Sequence, residues 1–356
     1  MVTKALRILH ALGLVAAAAA PASALWGKMA SFERVRAPSL ERRVVTCQST
    51  FLDDGRHGWV AGTTAVRPWT VVIFRTTDGG DSWKRFDTDI RVASRVADLE
   101  FVDANNGWMV TYTDRRLLRT TDGGENWSYE EVLGGWGVTE ITDVAMLSTT
   151  QGFAAGSSDG QAALFEYRRK GARPWWRPQL VGYEGRFNVL FMHSWDWLWI
   201  NSPPRRCDFR TFPEDPCFHG WRRAGSTELI QFPACDGTMC FFFYDHDLGW
   251  LGGFHGDIRR TDDGGAHWEG VSPSSDDVSP HYRVDVGSIV GIHFTSRTEG
   301  RALGSKGMIL HTVNGGRDWG MIDYLRVSCR DLDYFGGEYL VTGTAGLYRD
   351  VPLRLR

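Results

Sequence analysis

The sequence has no apolar run long enough to form a membrane-spanning helix. The apolar stretch Ile8 to Ala20 holds about thirteen residues, whereas a helix that crosses a bilayer needs about 20. Lys4 and Arg7 precede this stretch and Ala22-Ser23-Ala24 follows it, which is the pattern of a cleaved secretory signal. No cysteine follows the predicted cleavage site directly, which disfavours a lipid anchor. We therefore expect residues 1–24 to be a signal peptide and residues 25–356 to be periplasmic or secreted.

The sequence also lacks the spacings that mark most metal and nucleic-acid sites. It has no Cys-x-x-Cys pair, and its ten histidines show no ligand spacing, so we expect no metal and no cofactor. The net charge is −3 and becomes −5 when Lys4 and Arg7 are removed, which does not favour a nucleic-acid partner. No 3.6-residue period is sustained, which excludes a helical solenoid.

What the sequence does contain is a repeated motif, Thr-x-(Asp/Asn)-Gly-Gly-x-x-Trp. A side chain that accepts backbone N–H groups, followed by two glycines that adopt positive φ, is typical of a tight turn between strands. The Trp would anchor the next strand by burying a large ring. This motif is the Asp-box turn. Its four copies contain Asp78 and Trp83, Asp122 and Trp127, Asp263 and Trp268, and Asn314 and Trp319.

Each box belongs to a longer unit, and seven such units can be counted in the sequence. Aromatic landmarks of consecutive units are 45 to 51 residues apart, which suits four short strands, or one propeller blade. The last unit is one strand short, so we predict that Phe32–Ala37 closes the ring. The predicted fold is an all-β, seven-bladed β-propeller of four-stranded antiparallel blades in one domain. The landmarks are Trp59, Trp108, Phe153, Trp199 and Trp250.

Six cysteines in an exported chain predict disulfides. Cys47 and Cys329 fall on the innermost strands of the first and last units, which meet when the ring closes. Cys207 and Cys217 bracket an insertion in the fourth unit, and Cys235 lies close to Cys240. We predict these three pairs, with free buried thiols as the alternative.

Residues Phe51 to Trp83 combine Gly58-Trp59-Val60-Ala61-Gly62 with the first box. That combination resembles the seven-bladed propellers related to the photosystem II assembly and stability factor of cyanobacteria and chloroplasts. The resemblance covers roughly residues 32 to 350 and is specific in units one, two, five and six, whereas units three and four have lost the box. It implies an exported, non-catalytic factor that binds a protein, such as a membrane complex under assembly, and that is monomeric by itself.

Sialidases also contain Asp boxes, so a sialidase-like glycoside hydrolase stays open, as does a carbohydrate- or ligand-binding propeller without catalysis. The segment Val35-Arg36-Ala37-Pro38 resembles the element where sialidases place a substrate arginine. The box carboxylates are better explained as caps of the turns, because the fourth box has Asn314 where the other three have Asp. Asp98, Asp143 and Asp331 recur on innermost strands, where a repeated structural hydrogen bond is the expectation.

The informative polar residues fall in the loops opposite the boxes, namely the turns between second and third strands and the links between units. Loops on a rigid scaffold are where binding residues concentrate, and Arg, Trp and Tyr are frequent interface anchors. We therefore predict a basic, aromatic face that binds a protein. The candidates are Arg67, Trp69, Arg95, Arg115, Arg116, Trp136, Arg186, Arg205, Arg206, His255, Tyr282, Arg283 and Lys306.

Overall fold

Within its described residues, the computed structural model is built almost wholly of β-strands. The one helix in these ranges is the 3-10 turn Phe254–Gly256, and no helix there is long and apolar enough to cross a membrane. The predicted signal peptide lies outside them. The described residues are 30–35, 44–93, 95–111, 116–130, 138–170, 173–184, 186–187, 189–194, 197–201, 219–223, 227–231, 238–273 and 287–352.

The first three four-stranded sheets, or blades, follow an N-terminal strand, β1 (Ala30–Arg34). Blade 1 comprises β2 (Val44–Phe51), β3 (Gly58–Thr64), β4 (Thr70–Thr76) and β5 (Lys84–Arg91). Blade 2 comprises β6 (Val96–Phe101), β7 (Gly107–Thr111), β8 (Leu117–Thr120) and β9 (Ser128–Tyr129). Blade 3 comprises β10 (Val138–Ser148), β11 (Gln151–Ser158), β12 (Gln161–Lys170) and β13 (Arg173–Glu184).

Four further sheets follow in chain order. Blade 4 comprises β14 (Val189–Ser194), β15 (Trp197–Asn201), β16 (His219–Arg223) and β17 (Thr227–Gln231). Blade 5 comprises β18 (Cys240–Phe243), β19 (Gly249–Gly252), β20 (Ile258–Thr261) and β21 (Glu269–Gly270). Blade 6 comprises β22 (Ile289–Phe294), β23 (Gly300–Gly304), β24 (Met308–Thr312) and β25 (Gly320–Tyr324). The last sheet, blade 7, comprises β26 (Cys329–Phe335), β27 (Glu338–Gly343), β28 (Gly346–Pro352) and β1.

The predicted all-β propeller of four-stranded antiparallel blades is confirmed. In the last sheet, β1 pairs antiparallel with β28, and Phe32 lies opposite Asp350. The sequence placed this strand at Phe32–Ala37, whereas it occupies Ala30–Arg34. The innermost strands, which are the first of each blade, contact one another in succession, and β26 contacts β2.

The Asp-box turns fold as the motif predicts. In the first box, Thr76 Oγ1 donates to Asp78 Oδ1 at 2.8 Å and accepts the Gly80 N–H at 2.9 Å. Asp78 Oδ1 also accepts the Ser82 N–H. The same bonds recur in the other three boxes. Asn314 accepts them as Asp does, so the turn needs an oxygen and not a charge.

The boxes also join neighbouring blades. Trp59, on the second strand of blade 1, stacks on Phe101 of blade 2 at 3.8 Å and donates its indole N–H to the Gly123 carbonyl of the next box. Trp250 repeats this arrangement toward blade 6, with Gly315 as acceptor. Gly316 has φ of 76°, and a Cβ there would lie 2.3 Å from Trp250 Nε1. Positive φ and this close approach together require glycine.

The predicted box anchors differ in burial. Trp83 and Trp319 are buried, whereas Trp127 and Trp268 are half-buried. Trp319 → Ala should lower the free energy of unfolding by about 3–5 kcal/mol, the usual cost of deleting a buried aromatic ring. The control Trp175 → Ala, at a 44% exposed position, should change it little. Chemical denaturation measures both, and a Trp319 variant as stable as the control would contradict the anchor role.

The predicted cysteine pairs are not formed in the described residues, where Cys47, Cys240 and Cys329 are free thiols. Cys47 packs in the cluster between blades 1 and 2, and Cys329 in the cluster between blades 6 and 7. The two side chains therefore point away from each other, although β2 and β26 are neighbours. The predicted Cys47–Cys329 and Cys235–Cys240 disulfides are therefore contradicted, because Cys47, Cys240 and Cys329 are free thiols. Cys207 and Cys217 lie outside the described residues, as does Cys235.

Burial should make these thiols unreactive in the folded protein. It raises the pKa of Cys47 and raises the pKa of Cys329 to about 12, and the thiolate is the reactive form. Without reductant, we expect iodoacetamide to label neither cysteine in the folded protein and both in guanidinium. Peptide mass mapping reads the result. A cysteine that is labelled in guanidinium only after reduction would show a disulfide and contradict the structure.

Candidate binding face and central channel

The turns of the blades fall on two faces, which backbone hydrogen bonds identify. The box turns bond to the turns between first and second strands, as Gly79 N–H does to the Arg56 carbonyl at 3.1 Å. We call this side the box face. The turns between second and third strands bond instead to the links between blades, as Val92 N–H does to the Trp69 carbonyl at 3.0 Å. We call this side the link face.

Seven of the predicted binding residues are described: Arg67, Trp69, Arg95, Arg116, Arg186, His255 and Lys306. The Arg67 guanidinium lies 4.5 Å from the Trp69 ring centroid, a cation–π contact. Arg116 lies 5.0 Å from the exposed ring of Tyr129. The remaining candidates, Arg115, Trp136, Arg205, Arg206, Tyr282 and Arg283, lie outside the described residues, so their place on the link face stays a prediction.

A central channel of about 510 Å³ runs between the innermost strands. Three arginines line it, Arg95, Arg186 and Arg330. Each stands at or near the start of an innermost strand, where the chain enters from a link, so they surround the link-face mouth. Among the candidates, Arg95 and Arg186 come together here. Arg330 was missed. It is the extra residue of a β-bulge in β26, between Cys329 and Asp331. Aligning the units of the sequence at this position would have identified Arg330 as a candidate.

The two walls of the channel differ in chemistry. Blades 1, 2, 3 and 7 contribute most of its charged and polar side chains, including Arg330, and the links before β6 and β14 contribute Arg95 and Arg186. Blades 4, 5 and 6 contribute a mostly apolar wall. Met239 on that wall is 38% exposed, so part of the apolar surface is accessible. The main apolar lining residues are Leu190, Phe191, Met192, Phe241, Phe242 and Ile292.

The recurring carboxylates of the channel are joints between blades, as the sequence led us to expect. Asp98 Oδ2 accepts the Val144 N–H of the next blade at 3.1 Å. Asp143 does the same for Leu190 at 2.7 Å. Asp331 accepts both the N–H and the hydroxyl of Ser49, which links blade 7 to blade 1. These side chains hold the innermost strands together.

The features that suggested catalysis have structural explanations in the described residues. Hydrogen bonds from the Ser82 hydroxyl and N–H lower the pKa of Asp78 to about 2, the reverse of what a general acid needs. No cluster of His, Cys, Asp and Glu there could hold a metal ion. Arg36, the sialidase-like hint, lies outside the described residues.

One nucleophile-like pattern escaped the sequence analysis. Residues Gly156 to Gly160 read Gly-Ser-Ser-Asp-Gly, which fits the Gly-x-Ser-x-Gly spacing. The segment forms the hairpin between β11 and β12, and Ser158 is buried. A nucleophile elbow needs a strand-to-helix turn with an exposed serine. In this chain the Gly-x-Ser-x-Gly spacing therefore belongs to a hairpin turn and not to a nucleophile elbow.

Comparison with known proteins confirms the resemblance inferred from the boxes. A family model described as "Photosynthesis system II assembly factor YCF48" matches residues 225–327. The curated Photosystem II assembly lipoprotein Ycf48 of Synechococcus sp. (strain CC9902) is 36% identical over 77 residues. That match spans 22% of this chain and 21% of the relative, so it covers about a fifth of the relative's length.

Solved structures match over far more of the chain, but at low identity. A structure of YCF48 bound to D1 peptide has a TM-score of 0.64 and 17% identity, and covers 91% of this chain and 97% of that one. A catalytically inactive virginiamycin B lyase from Staphylococcus aureus, with quinupristin, has a TM-score of 0.65 and 10% identity, with 91% and 100% covered. These likenesses show the fold, which serves binding proteins and enzymes alike.

Proposed function

We propose that this chain is an exported, non-catalytic propeller that acts as an assembly or stability factor by binding a protein on its link face. In this proposal residues 1–24 are a cleaved signal peptide. Residues 25–356 form one seven-bladed ring, which β1 closes as the outer strand of its last blade. The partner belongs to a periplasmic or membrane-associated complex.

The observation that carries this proposal is the two-sided channel mouth. Arg95, Arg186 and Arg330 line one part of it, and apolar side chains line the other. Guanidinium groups pair bidentately with carboxylates, and apolar pockets accept the aromatic or aliphatic anchors of a partner. An acidic protein segment with apolar side chains fits both walls. The channel lining also holds five carboxylates, so its basic character is restricted to the three arginines. These carboxylates are Asp98, Glu100, Asp143, Asp331 and Asp333.

The comparisons support the same class of function. The relatives that match are named photosystem II assembly factors, and one similar propeller was solved with a bound peptide. By analogy, we propose a membrane-protein complex under assembly as the partner. The channel carboxylates support a binding role over a catalytic one, since Asp98, Asp143 and Asp331 are engaged by backbone N–H groups of the next blade.

Charge reversal at the mouth tests the proposal. We expect the double variant Arg95 → Glu with Arg330 → Glu to capture about tenfold less partner from a detergent-solubilised envelope fraction, and to lose the salt dependence of capture. The physical reason is that the reversed charges repel an acidic segment. Quantitative mass spectrometry of the captured proteins measures the loss, and thermal melting of each variant checks that the fold survives.

The matched control reverses two basic residues on the box face, Arg56 → Glu with Lys84 → Glu. Arg56 lies in the turn that bonds to the first box, and Lys84 is exposed beside a glutamate of the second. This control should capture partner as the wild type does. Equal loss in both double variants, or no loss in either, would contradict the link face as the binding surface.

A further inference from the structure

Blade 3 has a basic hairpin at the position where blades 1, 2, 5 and 6 have their boxes. Its third and fourth strands, β12 and β13, pair as far as Lys170 and Arg173. The neighbouring strand β11 begins at Gln151, which lies opposite Arg168. The hairpin therefore continues for two residue pairs beyond the end of β11. This end lies at the box face, and we call it the blade 3 hairpin end.

Positive charge is concentrated at the blade 3 hairpin end. Residues 167–183 contain five Lys and Arg and no Asp or Glu, in a chain of net charge −3. Arg168 Nε donates to the Glu166 carboxylate at 2.5 Å, and the charge of Arg169 acts on Glu130. Positive charge still predominates when these two carboxylates are counted. The basic residues are Arg168, Arg169, Lys170, Arg173 and Arg177.

Two of these basic residues face each other across the hairpin. Lys170 lies directly opposite Arg173 in the register of β12 and β13. Like charges at directly opposite positions of antiparallel strands destabilise the pairing. An anionic group bound beside the two residues would remove this repulsion. The register thus indicates an anionic ligand and not merely a solvated surface.

Trp175 adds an apolar ring to the same strand. Its side chain is 44% exposed, and Arg177, two residues further along β13, is exposed as well. Residues two apart on a strand lie on the same face, so this ring and this guanidinium face solvent together. Trp176, between them, belongs to the buried cluster that contains Trp108. The core of the blade therefore uses one tryptophan and leaves the other accessible.

We propose that the blade 3 hairpin end binds the surface of a membrane that contains anionic phospholipids. Lys and Arg attract anionic headgroups. The Trp ring is apolar with one polar edge, and such rings concentrate at the boundary between headgroups and acyl chains. Because the hairpin extends past the neighbouring strand, a flat surface can contact Trp175 and the basic residues at once.

This contact is confined to blade 3. The boxes of blades 1, 2 and 5 contain the carboxylates Asp78, Asp122 and Asp263, which an anionic surface repels. The hairpin end lies at the box face and the proposed protein partner binds the link face, so the two can be bound together. The propeller would then stand on one blade and hold its channel mouth away from the lipid.

Co-sedimentation of the exported, purified chain with lipid vesicles tests the proposal. We expect binding to vesicles made of equal parts phosphatidylglycerol and phosphatidylcholine. Binding to phosphatidylcholine alone should be at least about tenfold weaker, because that surface has no net charge. Raising the salt to about 0.5 M should weaken binding to the anionic vesicles, since salt screens exposed charges.

A matched pair of double variants locates the contact. Lys170 → Gln with Arg173 → Gln should weaken vesicle binding about tenfold or more. Its melting temperature should stay equal or rise, because the like-charge pair is gone. Trp175 → Ala should weaken binding as well. The control Lys84 → Gln with Arg85 → Gln removes the same charge from the start of β5, the outer strand of blade 1, and should bind vesicles as the wild type does.

Absence of vesicle binding by the wild type, or equal binding to both lipid compositions, would overturn the proposal. Equal losses in the two double variants would do the same. Binding to polyglutamate but not to vesicles would identify an acidic protein as the occupant and contradict a membrane. The link-face variant Arg95 → Glu with Arg330 → Glu should bind vesicles normally, so this proposal and the proposed function can fail separately.

Discussion

The hydrogen bond that joins the innermost strand of one blade to that of the next determines how the centre of the molecule is arranged. Where a carboxylate makes this bond, as Asp98, Asp143 and Asp331 do, it accepts from a backbone N–H that would otherwise have no ladder partner across the blade boundary. Gln48 of blade 1 makes a related bond, in which its side-chain amide donates to the Ala97 carbonyl of blade 2. A charged group can therefore line the channel wall while it joins two neighbouring innermost strands.

This constraint separates the regular part of the protein from the part that varies. On the box face, the same turn recurs with the same bonds, and the stacked Trp and Phe of adjacent blades depend on it. On the link face, the turns and links differ in sequence from blade to blade. Binding chemistry concentrates on the face that the repeat leaves free.

The sequence predicted the features that depend on local chemistry. The box turns need only a side-chain oxygen and two glycines within a few residues, and their structure was predicted correctly. The channel position of Arg330 and the free thiols were not predicted. A bulge determines which way Arg330 points, and Cys47 and Cys329 pack into different clusters, which keeps them apart. The Glu130 side chain is 6% exposed and is hydrogen-bonded to Trp176, which lies on the last strand of blade 3, a blade that has lost the motif. Such long-range packing leaves no local pattern.

The most direct test of the central claim is hydrogen–deuterium exchange of the chain, alone and in complex with its captured partner. The account predicts slower exchange in the link-face segments around Trp69, Arg95 and Lys306, and unchanged exchange in the four box turns. Box-turn amides bonded within the turn, such as those of Gly80 and Ser82, serve as the internal reference. Protection confined to the box turns, with the link face unaffected, would contradict the claim that this propeller binds its partner through the link face.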